Sequence, residues 1–236
     1  MALGSVYPND AEKRIRQPPT ENRPSNIEDS PDRPLFWNDM YADEDALFGT
    51  APNAFVRAEA GRIPEGACVA EVGAGEGRNL LFLAKERGAR VTAVDFASDA
   101  LSTARRRAEA AGVTLETTVA DARGWQPEQP FDAVVVTFLH LLPAGRVESY
   151  RRLRDALAPG GVLVAEWFSA AHADKDRFAE IGPPGRERLI ATSELREHFS
   201  EDGIAVLEET ERSLDEGPVL RGRAAVLWFV WRKPER

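Results

Sequence analysis

Residues 69 to 84 read VAEVGAGEGRNLLFLA: an apolar run, three alternating glycines, and at once helical spacing. Glycine takes positive φ and lets a ligand approach where a Cβ would stand in the way. A helix starting there presents unpaired N–H groups at its first turn. Gly73, Ala74, Gly75 and Gly77 therefore predict a strand-to-helix turn that cradles part of a ligand. Such a turn is the usual opening unit of an open α/β sheet, which binds ligands beyond the carboxyl ends of its strands.

The rest of the chain keeps that rhythm. Strand-like ACVAEV, RVTAVDF, VTLETTVAD, FDAVVVTFLHLL and VLVAEWF alternate with helix-like RNLLFLAKERGA, SDALSTARRRAEAAG and GRVESYRRLRDALA. Ser98 reads as an N-cap and Gly112 as a C-terminal stop. Apolar strands alternating with amphipathic helices predict a doubly wound α/β fold on a mostly parallel sheet. After the long segment 169–192 and a short helix SELREHFSEDG, IAVLEETERSL and RAAVLWFVWRK follow in succession. Their short link predicts an antiparallel C-terminal hairpin.

Composition narrows the partners. The 236 residues are 43% hydrophobic with a net charge of −9, which argues for a core-forming protein and against a nucleic-acid partner. Cys68 is the lone cysteine and reads as a buried strand residue. No apolar run suits a membrane span or a leader, so the expected compartment is the cytoplasm. His, Cys and acids show no metal-ligand spacing, and no metal is expected.

The ligand follows from the acids. A dinucleotide site wants a third glycine where this chain has Arg78, and no Gly-Lys-Ser/Thr follows as a phosphate loop requires. Glu71, just before the glycines, repels phosphate and welcomes an ammonium or sulfonium. Asp95 ends the second strand, where a carboxylate can accept both ribose hydroxyls. Asp121 ends the third, within reach of an adenine amine, with Ala122 beside it. Ribose, adenine and positive charge without phosphate describe S-adenosylmethionine.

The segments VAEVGAGEG, VTAVDFA, VADAR and LAPGGVLVAEW resemble the successive motifs of class I S-adenosylmethionine-dependent methyltransferases over residues 35 to 232. The segments GEGRN, FWNDMYADEDALFGTAPNAFV, FLHLL and LDEG…GRAAVLWFV resemble the tellurite-resistance and thiopurine-like group. This chain departs by its N-terminal arm and by Glu71 where many members carry Asp. The resemblance implies a seven-stranded Rossmann-like sheet and release of S-adenosylhomocysteine. It also implies a small soft acceptor, a thiol or chalcogen oxyanion. The alternatives are a natural-product O- or N-methyltransferase and a non-catalytic cofactor-binding protein. In that group the segment before the fold closes over the cofactor, which makes Trp37 and Asn53 cofactor contacts and Tyr41 a substrate contact.

Phe96, Asn79 and Thr137 complete the expected cofactor set: Phe96 against adenine, Asn79 in the first helical turn, Thr137 at the fourth strand's end. His140, just beyond that strand, is the candidate catalytic base and a substrate contact. Trp167 and Phe168, ending the fifth strand, are expected in the substrate wall, with Arg186 and Arg188 able to attract an anion. Residues 34–236 form the expected catalytic domain, a monomer or homodimer. QPPTENRPSNIEDSPDRP, in the first 33 residues, has little to bury and reads as a disordered or extended arm. Deleting residues 1–30 should leave the thermal midpoint within a few degrees of the full chain's; a large drop would show that the arm packs on the domain.

Overall fold

The Val- and Ala-rich runs become strands because helices cover both their faces. A computed structural model describes residues 31–43, 46–174 and 176–235. Helix α1 (Pro34–Asp43) and α2 (Ala54–Glu59) precede the sheet. Then β1 (Cys68–Val72), α3 (Arg78–Arg87), β2 (Arg90–Asp95), α4 (Ser98–Ala110) and β3 (Leu115–Val119) alternate. They lead to β4 (Phe131–Thr137), α5 (Pro143–Ala156) and β5 (Leu157–Phe168), and α6 (Thr192–His198), β6 (Ile204–Asp215) and β7 (Arg221–Arg232) close the fold. The expected arm falls outside the described residues up to residue 30. Among the described residues no helix is long and apolar enough to cross a membrane.

The seven strands lie in the order β3-β2-β1-β4-β5-β7-β6. Strands β1 to β5 pair in parallel, and β7 runs antiparallel to both β5 and β6. This is the doubly wound, mostly parallel sheet with a C-terminal antiparallel hairpin that the alternation predicts. One face packs Tyr150, Leu153, Leu195 and Phe199 on the sheet, the other Phe55, Ile63, Leu80, Leu83 and Leu101. Strand order reverses between β1 and β4, so the crevice for a ligand opens past Val72 and Thr137.

Local signals differ from the expectation at several ends, among them those of α4, β4 and α5. Ser98 is the first helical residue of α4, and Ala97 stands at the cap with no side-chain cap. The Asp95 carboxylate serves that end instead, its Oδ1 accepting the Ala97 N–H at 2.9 Å. Strand β4 stops at Thr137 and does not run on to Leu142, because Phe138 takes φ 54°. Helix α5 begins at Pro143, two residues earlier than Gly145, with proline at a position where its missing N–H costs nothing. Gly112 does follow α4, at φ 67°.

Trp167 is corrected from the substrate wall to the core. Successive side chains alternate across a strand, and Phe168 faces the carboxyl-edge loops while Trp167 packs on the opposite face, edge-on to Tyr150 and against Phe229. Its side chain is fully buried. Trp167→Ala should lower unfolding stability in urea by about 3–5 kcal/mol, the usual cost of emptying a large aromatic site.

Candidate active site

The turn after β1 holds Gly73, Gly75 and Gly77 at positive φ, where a side chain is strained. Gly75 takes φ 51°, and a Cβ there would stand 2.6 Å from the Tyr41 hydroxyl. Its N–H donates to Asp95 Oδ2 at 2.8 Å. Asp95 thus holds the loop with one oxygen and the start of α4 with the other. Burial raises its pKa, against the backbone hydrogen bonds that lower it.

A cavity of about 110 Å³ opens over this turn. Glu71, Gly73, Ala74, Gly75 and Asn79 form its floor, and Asp95, Phe96, Asp121 and Ala122 one wall. Thr137 and His140 border it from β4, and Trp37 and Tyr41 from α1. These expected residues therefore converge. Asp121 does so already paired: Arg123 forks onto its carboxylate and lowers its pKa.

Glu71 forms the centre of the floor. Its Oε1 accepts from Asn79 Nδ2 at 2.6 Å and from the Thr137 hydroxyl at 3.4 Å. Its Oε2 is buried with no hydrogen-bond partner among the described residues. Burial outweighs the Asn79 hydrogen bond and the Arg78 charge, raising the pKa from 4.5 to about 7.

Asn53 and Gly77, expected as cofactor contacts, do not line the cavity. Asn53 is fully buried beneath it and caps α2, accepting from the Phe55 and Val56 N–H groups. Its Nδ2 donates to Glu166 and Glu216, and its N–H to Asn79 Oδ1 at 2.7 Å. Gly77 begins α3 at φ 79°, its α-carbon turned toward Ala104, 3.2 Å from where a Cβ would be; helix packing occupies that side. Phe168 lines an adjoining chamber.

His140 is corrected from catalytic base to fixed neutral imidazole. The Phe168 N–H donates to Nε2 at 3.2 Å, so the ring proton is on Nδ1 and donates to the Arg188 carbonyl at 3.0 Å. Both nitrogens are engaged. Burial pulls the pKa down to about 3, beyond what the Arg188 hydrogen bond restores. In this arrangement neither ring nitrogen offers a free lone pair toward the cavity.

Glu76, Arg78, Arg123, Phe48 and Leu139, which no motif marked as site residues, also line the cavity. Glu76 and Arg78 stand inside the glycine turn and were readable from it; Leu139 reaches the cavity only because Phe138 turns the chain.

The Glu71 shift fixes a pH dependence. The folded state keeps a proton that the unfolded chain releases between about pH 4.5 and 7, so stability falls as pH rises through that window. Relative to Glu71→Gln, the ligand-free protein should lose about 3 kcal/mol across it in urea titrations. Equal slopes for the two proteins would show that Glu71 titrates normally. His140 should give the neutral Nδ1–H tautomer by NMR throughout pH 5–9, and a titration near 6.5 would contradict its geometry.

Comparison with known proteins agrees with this architecture. Residues 69–161 match the family described as "Methyltransferase domain". The trans-aconitate 2-methyltransferase of Streptomyces avermitilis is 36% identical over 110 residues, 43% of this chain and 40% of that protein. The chain thus spans about two fifths of that curated relative's length. A solved structure described under "Conversion of a Disulfide Bond into a Thioacetal Group during Echinomycin Biosynthesis" superposes with TM-score 0.66 and 25% identity, covering 86% of this chain and 94% of that one. TehB of Haemophilus influenzae superposes with TM-score 0.65 and 20% identity, covering 78% and 63%. Residues 69–161 thus match the methyltransferase-domain family, and the seven-stranded sheet that carries them has the fold of the solved TehB structure.

Proposed function

We propose that this chain binds S-adenosylmethionine over the glycine turn and transfers its methyl group to a small-molecule nucleophile. One observation carries the reading: Glu71 lines the cavity and its buried Oε2 has no hydrogen-bond partner among the described residues. A buried carboxylate oxygen of that kind calls for a cation, and the ligand's ammonium meets the need. Asp95 would accept from the ribose hydroxyls, while Phe96, Asp121 and Ala122 would border the adenine. Gly73 and Gly75 leave room for the amino-acid end. Bound there, the cofactor supplies a methyl group already activated by a sulfonium.

The chain's own task is then positioning. Holding an acceptor in line and excluding water is worth roughly 7–11 kcal/mol. Trp37 and Tyr41 roof the cavity from α1, and their ring faces attract a sulfonium as they do other cations. The acceptor is a soft one, a thiol or chalcogen oxyanion, which needs little help losing a proton. Two things support this choice: the engaged nitrogens of His140, and the sulfur chemistry named for the echinomycin structure.

The experiment is calorimetry with S-adenosylhomocysteine, followed by its release from S-adenosylmethionine with thiols, tellurite, selenite and small phenols. Affinity should rise with pH up to about 7 and then level, as Glu71 ionises. Asp95→Ala should cost about 1.5–3 kcal/mol for each hydrogen bond lost to the charged group. Unchanged affinity in a folded Asp95→Ala protein would remove the ribose assignment, and binding without product from any acceptor would leave a cofactor-binding protein.

A further inference from the structure

A second chamber adjoins the cavity, and an ion pair stands where they meet. Pro31, Trp37, Phe48, Phe138 and His140 line both chambers. Asp32 borders the first and Arg188 the second, and the Arg188 guanidinium forks onto both carboxylate oxygens of Asp32. The second chamber is otherwise apolar, walled by Phe168, Pro183, Pro184, Val219 and Leu220.

The two partners are held very differently. Arg188 is 6% exposed, and Nη1 also donates to the His140 carbonyl at 3.1 Å. His140 returns the contact by donating Nδ1–H to the Arg188 carbonyl. Arg146 pins the same turn through the Glu187 carbonyl at 2.9 Å, and forks onto Glu194 of α6. Asp32, by contrast, belongs to the lead-in before α1, outside the sheet. Arg123, held mainly by Asp121, also feels the Asp32 charge.

A buried guanidinium cannot lose its proton, so an anion must accompany it. Its planar fork matches a carboxylate. An aromatic chamber ending in such a fork selects a molecule with an apolar body and an acid group. We propose that Arg188 anchors the carboxylate of an aromatic or apolar acid, and that Asp32 occupies the fork until that acid displaces it. If the methyl-transfer reading holds, the acid is a thiol acid, held by its carboxylate while its sulfur takes the methyl group; the anchor itself does not depend on that reading. Arg188 is then a specificity-determining residue, and the Asp32 pair a partition that opens when the acceptor enters.

Phenylacetate and its neutral isostere phenylacetamide, titrated calorimetrically into the full chain with and without S-adenosylhomocysteine, test this. Asp32→Asn should tighten phenylacetate about tenfold and leave phenylacetamide unchanged. Arg188→Gln should erase the preference for the acid, and should it fail to fold, the Asp32→Asn comparison decides alone. Equal binding of acid and amide to Asp32→Asn, no gain over the parent protein, or no phenylacetate binding at millimolar concentrations each overturns the anchor and leaves the pair a staple for α1. S-adenosylhomocysteine binding is read in the same samples. Its loss in the parent protein sinks the methyl-transfer reading and leaves the acid-versus-amide result standing.

Discussion

The side-chain amide of Asn79 joins the parts of this molecule that must agree in position. Its Nδ2 donates to Glu71 at the end of β1 and, at 3.2 Å, to Thr137 at the end of β4; its Oδ1 accepts from the backbone of Asn53. Asn53 reaches on to Glu166 of β5 and to Glu216 beyond β6. Arg78 and Arg212 close the network on Glu216. Three strands, the residue just past β6 and two helix starts are therefore tied together by two asparagines. Buried carboxylates are costly unless fully paired, and Glu166 shows the strain: burial raises its pKa despite Arg212, Asn53 and the Trp228 indole. The same network leaves Glu71 Oε2 as the one carboxylate oxygen among its members recorded as buried and unpartnered. Ligand affinity and fold register thus share a set of hydrogen bonds.

What the sequence made legible was local. Three glycines after an apolar run, with Glu71, Asp95 and Asp121 at strand ends, mark the cavity because each signal lies within one strand-turn unit. The fold followed for the same reason, since burial on two faces writes itself into each strand. Asn53 was misread because its partners lie 113 and 163 residues away. Pairing across such distances leaves no trace in spacing. Trp167 was misread because an aromatic at a strand's end can face either side, and only the neighbouring Phe168 shows which. The Asp32–Arg188 pair, 156 residues apart, was invisible from both of its ends. Arg188 was readable as a cation able to attract an anion, and nothing near it told that an acid of the same chain holds it.

His140 shows how position can mislead about chemistry. A histidine at the carboxyl edge of β4 has the address of a general base. The chain uses it to stitch the Arg188 turn to the end of β5, with one nitrogen donating and the other accepting. A neutral imidazole of fixed tautomer is a rigid two-way hydrogen-bonding tile, and its value here lies in not titrating. The edge it stabilises carries Phe138 and Phe168, whose rings stand 5.3 Å apart and wall the second chamber.

The hairpin order has a consequence for how the chain comes to life on the ribosome. Strand β6 is made before β7, yet it pairs only with β7, which in turn fills the edge of β5. The five parallel strands and β6 are thus all synthesised before β7, the strand that covers the β5 edge and gives β6 its partner. Open edges invite wrong pairings, and contacts far apart in sequence form late. Arg212 and Trp228 arrive on these late strands and Glu216 on the link between them, so the network beneath the glycine turn closes only once β7 lies between its neighbours. Synthesis order thus leaves the support behind the ligand cavity to be completed by strands made well after the residues that line it.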